Sequence, residues 1–309
     1  MPKMSVIVVA GERRERVERN LACLQAQTAL DSLEILVVDL APADGALKGA
    51  EHPAVRYLGQ PDLDGMWAAM AEGVRQARGE IVAFLEDHCC PAPEWAAAVI
   101  DAFRPPVAIV NYAFTDTQPH TYLSRAFLMT EYGRWMVPAK PGPITIAACN
   151  NIAYDRRILL RYGSPLEDWL MLEYLLHRKI REHGGTIWLE PRAVVAHEDW
   201  FRFSDGLRAN GTLKRVHSGI LVALHHWSVP RRLFYAAAMV VAPGLHLWRL
   251  ARSLWNRPSL WLRFVAALPV SVSVYCYASL QEAIGYLFGP GISREEFERI
   301  ELSLARRPE

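Results

Sequence analysis

The sequence predicts an α/β fold, a mostly parallel sheet flanked by helices, followed by an apolar helical hairpin. Three observations predict it. Short apolar runs alternate with helix-patterned segments through the first two hundred residues, the pattern of βαβ units. Several of those runs stop abruptly on a carboxylate or a histidine, as strands do where their carboxyl ends open on a ligand crevice. Most of the apolar excess lies after Arg231, outside that alternation.

Residues 5–10 (SVIVVA) read as a first buried strand, and 12–27 place Val17, Leu21 and Leu24 on one helical face. Residues 34–40 (EILVVDL) form a second strand ending on Asp39. After a loop with Pro42 and Gly45 a weaker strand covers 54–58. Gly65 opens a helix with Met66, Met70 and Val74 on one face, and the helix stops at Gly79. The central stretch is 79–93 (GEIVAFLEDHCCPAP). Its strand, 80–85, flips at once to Glu86, Asp87 and His88, and Pro91 and Pro93 close the loop before an apolar-patterned segment at 94–103.

Residues 105–143 are broken by prolines and carry no clean period. Residues 144–154 (ITIAACNNIAY) read as a strand entering a turn. A helix lies within 159–185, with Leu172, Leu175, Leu176 and Ile180 as its stripe and Gly184–Gly185 as its stop. A last strand, 186–196, is interrupted by Pro191 and lands on His197. This order divides the chain into a domain at 1–200, a basic and aromatic connector at 201–232, and an apolar helical region at 233–309.

With 34 basic and 33 acidic residues, no global field favours nucleic acid. The five cysteines show neither a zinc spacing nor a secreted-domain framework, so reduced thiols are expected. No leader pattern precedes SVIVVA. The sharpest chemistry is the Glu86-Asp87-His88 triplet at a strand end, placed to hold a divalent cation against a phosphate. A solvated acidic turn is the alternative reading of those three residues alone.

The order of these pieces resembles the inverting family-two glycosyltransferases, which have the Rossmann-like A-type glycosyltransferase fold. The first strand with its helix, EILVVD, ARGEIVAFLED and WLEPRAVVAH carry the resemblance, over roughly residues 5–197. It implies that Asp39 hydrogen-bonds the donor's base. A carboxylate accepts the N–H of uracil or thymine, which favours a UDP- or dTDP-type donor; a turn cap is the other reading of Asp39. Around Ala10 and Glu12, where the family commonly has Pro-Thr-Tyr-Asn, backbone contacts to the nucleotide carry over. Leu40 replaces the usual second aspartate, and Met70 replaces an arginine.

The family's Asp-x-Asp metal motif corresponds to Glu86-Asp87-His88. Glu86 and His88 are the implied metal ligands, and Asp87 is a nucleotide-side residue or further ligand. Mixed carboxylate and imidazole ligation favours manganese, with magnesium possible. The implied base is Glu173, counted back from Gly184, and Asp168 is the alternative in the acidic pair Glu167–Asp168. Asn150, Asn151 and His197 fall on the acceptor side, although His197 also reads as a core histidine. Lys214 and Arg215 would hold the diphosphate, or face solvent or lipid.

After Trp200 the chain turns basic and aromatic, and the apolar runs 233–248 and 264–280 are each shorter than the ~20 residues of a comfortable span. Pro243–Gly244 and Pro269 interrupt them, and their connection is as basic as the flank before it. A re-entrant or interfacial hairpin on the cytoplasmic leaflet is expected; a dimer interface is the soluble alternative. Residues 293–309 should form a short surface helix with a loose end.

Together these readings imply sugar transfer with inversion, from a nucleotide-sugar to a hydroxyl of a lipid-linked or cell-surface glycan, in cell-envelope polysaccharide biosynthesis at the cytoplasmic face of the cell membrane. A non-catalytic membrane scaffold or regulator with the same fold is the rival. The altered first-strand motif, Met70 and the Glu-Asp-His triplet keep it open.

Overall fold

The computed structural model describes residues 1–117, 120–163 and 165–303. The chain forms two compact units, Met1–Thr117 with Trp135–His197, and Gln118–Arg134 with Glu198–Glu309.

The first unit is built on one sheet. Strands β1 (Met4–Ala10), β2 (Leu33–Asp39), β3 (Val55–Gly59) and β4 (Ile81–Phe84) are parallel in the order β3-β2-β1-β4, connected by α1 (Arg14–Gln25) and α2 (Gly65–Gln76). All seven residues of β2 are buried, as expected of a strand covered on both faces. The α2–β4 turn needs Gly79, because a Cβ there would sit 2.6 Å from the Ser5 backbone nitrogen. Past β4 the sheet turns mixed. β8 (Ile152–Asp155) runs antiparallel to both β4 and β6 (Val107–Asp116), and β9 (Thr186–His197) runs parallel to β6. β5 (Cys89–Pro91) and β7 (Gly142–Ile144) pair antiparallel with β9.

Several expectations change here. The proline-broken middle contains β6 and α4 (Tyr122–Tyr132), and 144–154 is the end of β7, a loop and β8. The single helix expected in 159–185 is three, α5 (Arg156–Leu160), α6 (Leu166–Met171) and α7 (Glu173–Glu182). Gly163, at φ 57°, and Pro165 part α5 from α6. Pro191 is tolerated in β9 because the register with β6 jumps there, from Asn111↔Leu189 to Ala113↔Val194.

The expectation of reduced thiols is also corrected, since Cys23 on α1 and Cys90 on β5 form a disulfide with 5.6 Å between their Cα atoms. A separation of 67 residues carries no sequence signature of such a pairing. Closing a loop of that length restricts the unfolded chain by about 4 kcal/mol. Cys23→Ser, or reductant, should therefore lower the melting temperature clearly. An unchanged melt would show that the link contributes nothing.

The second unit is helical: α4, α8 (Phe203–Leu224), α9 (Val229–Ala238), α10 (Ala242–Leu254), α11 (Pro258–Phe288) and α12 (Ser293–Ser303). α11 is its core element and packs on α4, α8, α9 and α10. Close approach to α8 depends on glycines: a Cβ on Gly285 would meet the Ser218 hydroxyl and the Arg215 carbonyl. Thr130 and Ser271 hydroxyls join α4 to α11 at 2.8 Å.

The second apolar run is thus longer than its sequence suggested. α11 has 31 residues and continues through Pro269, and it is long and apolar enough to cross a membrane. α9 and α10 meet at a 54° bend. Phe234 on α9, Val240 in the turn between α9 and α10, and Leu262 on α11 are at least 69 % exposed. The expected loose end at 304–309 lies outside the described residues.

Candidate active site

The carboxyl end of β4 delivers Leu85 and Glu86, after which the chain turns into β5. Antiparallel pairing of β5 with β9 sets Cys89 opposite His197. Glu86, His88, Cys89 and His197 consequently gather, with their donor atoms all within 4.8 Å of one another. Three of them converge more tightly. His88 Nε2 lies 3.3 Å from His197 Nε2 and 3.4 Å from Glu86 Oε2, and His197 Nε2 lies 3.3 Å from Glu86 Oε2. A point equidistant from three such atoms is about 1.9 Å from each, close to the ~2.0–2.2 Å of nitrogen and oxygen bonds to a transition cation. Two imidazoles and a carboxylate, with a thiol nearby, fit a divalent transition metal. Burial pushes the Glu86 carboxyl up, but the charges and hydrogen bonds of His88 and His197 outweigh it and hold it well below the usual range.

Behind this triangle, α1 holds the loop with one stripe of side chains. Arg16, Asn20 and Cys23, with Gln27 just past the helix end, recur at spacings of four, three and four, one face of a helix. Arg16 Nε donates to Asp87 Oδ1 at 3.0 Å. Asn20 donates to the carbonyls of Glu86 (3.2 Å) and Cys89 (2.8 Å), Cys23 bonds Cys90, and Gln27 donates to the Ala92 carbonyl at 2.9 Å. Asp87 Oδ1 also lies 3.0 Å from His88 Nδ1. Arg16 Nη2 lies 3.1 Å from the same nitrogen, so the Arg16–Asp87 pair holds this edge of the ring while Nε2 faces Glu86 and His197. Burial pushes the Asp87 carboxyl up, and Arg16 and His88 bring it below its ordinary value.

Arg16→Met should cost about 3–5 kcal/mol, because it strands a buried carboxylate. Adding Asp87→Asn should recover part of the loss in a denaturant melt. If the single substitution is neutral, the pair does not hold the loop.

On the other side, Asn151 donates from its side chain to Glu86 Oε2 and Asn150 to Glu86 Oε1 at 3.2 Å, while the Glu86 backbone N–H donates to Asn151 Oδ1 at 3.0 Å. Asn150 sits at φ 62°, a conformation Asn adopts more readily than most residues. Its backbone N–H donates to Glu173 Oε2 at 2.6 Å. Glu173 Oε1 accepts from the Tyr154 hydroxyl at 2.5 Å, which lies 2.7 Å from His177 Nε2. Burial raises the Glu173 carboxyl to about 7 against the Tyr154 and Asn150 hydrogen bonds, and burial pushes His177 down to about 3. A neutral His177 can then donate from Nε2 to the tyrosine oxygen.

Three comparisons bear on this arrangement. Residues 5–163 match the family model described as glycosyl transferase family 2. The chain belongs to glycosyl transferase family 2. A 101-residue stretch, 31% of the chain, is 32% identical to glycosyltransferase AglE of Haloferax volcanii and spans 33% of that relative's length. Among solved structures, the mannosyltransferase PcManGT from Pyrobaculum calidifontis, in complex with GDP-Man and Mn2+, superposes with a TM-score of 0.56 at 20% identity, over 94% of this chain and 86% of that one. The fold is that of the A-type glycosyltransferases.

Within this family-2 transferase, the residues singled out from sequence fall unevenly. Glu86 and His88, the implied metal ligands, lie 3.4 Å apart. His197, Asn150 and Asn151, assigned to the acceptor side by resemblance, converge on Glu86. Asp87, placed on the nucleotide or the metal by resemblance, is buried with its Oδ1 tied to Arg16. Asp39 is fully buried, with Oδ1 accepting from Arg14 and the Ala41 N–H at 2.8 and 2.9 Å and Oδ2 from the Tyr57 hydroxyl at 2.7 Å. The Ala10 carbonyl accepts from the Leu40 N–H at 3.0 Å, and Glu12 is exposed.

Glu173 and Asp168 are separated by environment: Asp168 is exposed on α6, whereas Glu173 is 1 % exposed at the start of α7. Lys214 and Arg215, assigned to the diphosphate by resemblance, lie on α8 of the second unit, where Arg215 Nε donates to the Gly289 carbonyl at 3.3 Å. The sequence reading missed Arg16, Asn20, Cys89, Tyr154 and His177. Only the four-three-four spacing of polar residues on α1 could have pointed to the first two.

Proposed function

We propose that this transferase moves a sugar, with inversion and in one displacement, from a nucleoside diphosphate sugar to a hydroxyl of a lipid-linked or cell-surface glycan. The observation that carries the reading is the Glu86, His88 and His197 triangle at the end of β4, joined through Asn150 to the buried carboxyl of Glu173. Manganese suits the donor set better than magnesium, and a cation held there supplies positive charge to offset the diphosphate leaving group. Asn150 and Asn151 orient Glu86, and Asp87 orients His88. Glu173 takes the proton from the acceptor hydroxyl, a task for which a pKa near 7 is suited.

For the donor, Asp39 is read together with Arg14 and Tyr57, whose side chains occupy its oxygens, so that a base meets all three. UDP- and dTDP-sugars are the first arms of a screen. GDP-mannose is the third, because PcManGT was solved with it.

The second unit supports attachment to the cytoplasmic face of the cell membrane. Arg231 lies 4.2 Å over Trp227 and Arg252 lies 5.3 Å over Trp248, beside the exposed apolar side chains of α9 and α10. The test is a donor screen with and without manganese, with vesicles carrying a lipid-linked acceptor, followed by the anomeric configuration of the product. Inverted product and sedimentation with anionic vesicles are expected. Retained configuration would refute the single displacement, and activity entirely in the supernatant would refute membrane attachment.

A further inference from the structure

Glu173, Tyr154 and His177 form a buried chain of hydrogen bonds inside the first unit. Glu173 opens α7 and His177 lies one helical turn on, so both stand on one face of that helix. Tyr154 reaches them from β8, in the middle of the sheet, where it pairs with Val82 of β4 and Ile109 of β6. Its hydroxyl oxygen lies 2.5 Å from Glu173 Oε1 and 2.7 Å from His177 Nε2. The other carboxyl oxygen, Oε2, accepts from the Asn150 backbone N–H at 2.6 Å. Apolar side chains would fill this space with no buried polar group to satisfy, so packing alone does not call for the trio.

While the carboxyl is ionised the chain can point only one way. A carboxylate accepts and cannot donate, so the tyrosine O–H is directed at Oε1. Burial, then the charge of Glu173, pushes the Tyr154 hydroxyl well above its ordinary value, which keeps that proton in place. The tyrosine oxygen then accepts from His177, whose Nε2 carries the hydrogen. Burial pushes His177 down to about 3, so the imidazole stays neutral and is no store for a proton leaving Glu173. The two side chains therefore supply donors toward the carboxylate and do not drain it. On Glu173 itself burial acts most strongly, and the Tyr154 hydrogen bond is the largest influence against it, ahead of the Asn150 N–H. Glu86 adds to burial by its charge, the Cys149 thiol opposes it by a hydrogen bond, and Tyr112 of β6 also feels the Glu173 charge.

We propose that Tyr154 and His177 are positioning residues for Glu173: His177 fixes the direction of the tyrosine O–H, and the hydroxyl holds the carboxylate ionised and in one orientation for its work as base. The work as base rests on the transferase reading above; the hold on the carboxyl does not.

The test is carbon-13 NMR of the full chain labelled at its glutamate side-chain carboxyls, titrated in detergent with chelator and assigned by difference from Glu173→Gln. The pH profile of sugar transfer is measured in parallel with manganese. Tyr154→Phe removes one hydroxyl and should move the Glu173 titration up by about one pH unit, because the lost hydrogen bond favours the ionised form. The acid limb of the rate should move with it, about tenfold slower below pH 7 and recovering toward wild type as pH rises. His177→Leu leaves the tyrosine free to turn and should shift the titration in the same direction. His177→Gln keeps an N–H donor near the place of Nε2 and should restore most of the wild-type titration. Should His177→Leu fail to fold, Tyr154→Phe and His177→Gln still decide. An unchanged Glu173 titration in Tyr154→Phe, with any loss of rate equal at every pH, would overturn the proposal, as would a shift in His177→Gln as large as that in Tyr154→Phe. Titrations that shift as expected in a chain that transfers sugar from no donor would support the hold on the carboxyl and count against the transferase reading instead.

Discussion

Glu173→Gln should lower turnover by about 10²- to 10⁴-fold, the usual worth of a general base, while donor binding stays near wild type. Glutamine keeps the shape and can still accept from the Asn150 N–H and the Tyr154 hydroxyl, so the loop geometry should persist. Asp168→Asn is the control and should retain full activity, because Asp168 is exposed on α6. The pH profile gives a second signature. With a pKa of about 7, the wild-type rate should climb roughly tenfold per unit below pH 7 and level off above it.

The same shift appears in stability. The folded-state pKa lies above the ordinary 4.5, so the native state binds this proton more tightly than the unfolded chain. The contribution is fully present below about pH 4.5 and is lost as pH rises through about 7, at most about 3 kcal/mol. In chelator, wild type should lose stability between pH 5 and 8 more steeply than Glu173→Gln. Identical slopes would show that the carboxyl is not perturbed, and full activity of Glu173→Gln would place the base elsewhere.

His197→Ala is expected to cost more than 10²-fold in manganese affinity and turnover, although the sequence alone placed His197 on the acceptor side. It removes one of three converging donors and leaves Glu86 with a single imidazole neighbour. Arg16→Met should weaken manganese binding less, by about 10- to 100-fold, because it acts through Asp87 and His88. Electron paramagnetic resonance of free manganese during titration measures both. Equal affinities in wild type and His197→Ala would remove this histidine from the metal site.

Much of the first unit was legible because its strands are covered on both faces and read as continuous apolar runs; 34–40 and 80–85 are examples. The polarity flip at Glu86 was legible too, as three titratable side chains directly after a buried strand, a pattern shared with a solvated acidic turn. The partner of that flip was not. His197 reaches Glu86 only through the antiparallel register of β5 with β9, and register is a property of pairing between distant segments. The opposite fates of Asp87 and His88 were hidden for a similar reason, since one turns to Arg16 and the other to His197. On α1 the sequence marked only the apolar face of Val17, Leu21 and Leu24, whereas Arg16 and Asn20 are buried as well, under the loop. Pro269 suggested a break that packing of α11 against four other helices overrides.

The most direct test of the central claim is the melting temperature of the full chain with nucleoside diphosphate, measured with manganese and with chelator. Ligand at a hundredfold excess over its Kd should stabilise the folded state by ~2.7 kcal/mol. The account predicts that shift with manganese, a much smaller one with chelator, and its loss in His88→Ala and His197→Ala. An equal shift in chelator, or an undiminished manganese-dependent shift in both histidine variants, would contradict a metal–diphosphate site at Glu86, His88 and His197.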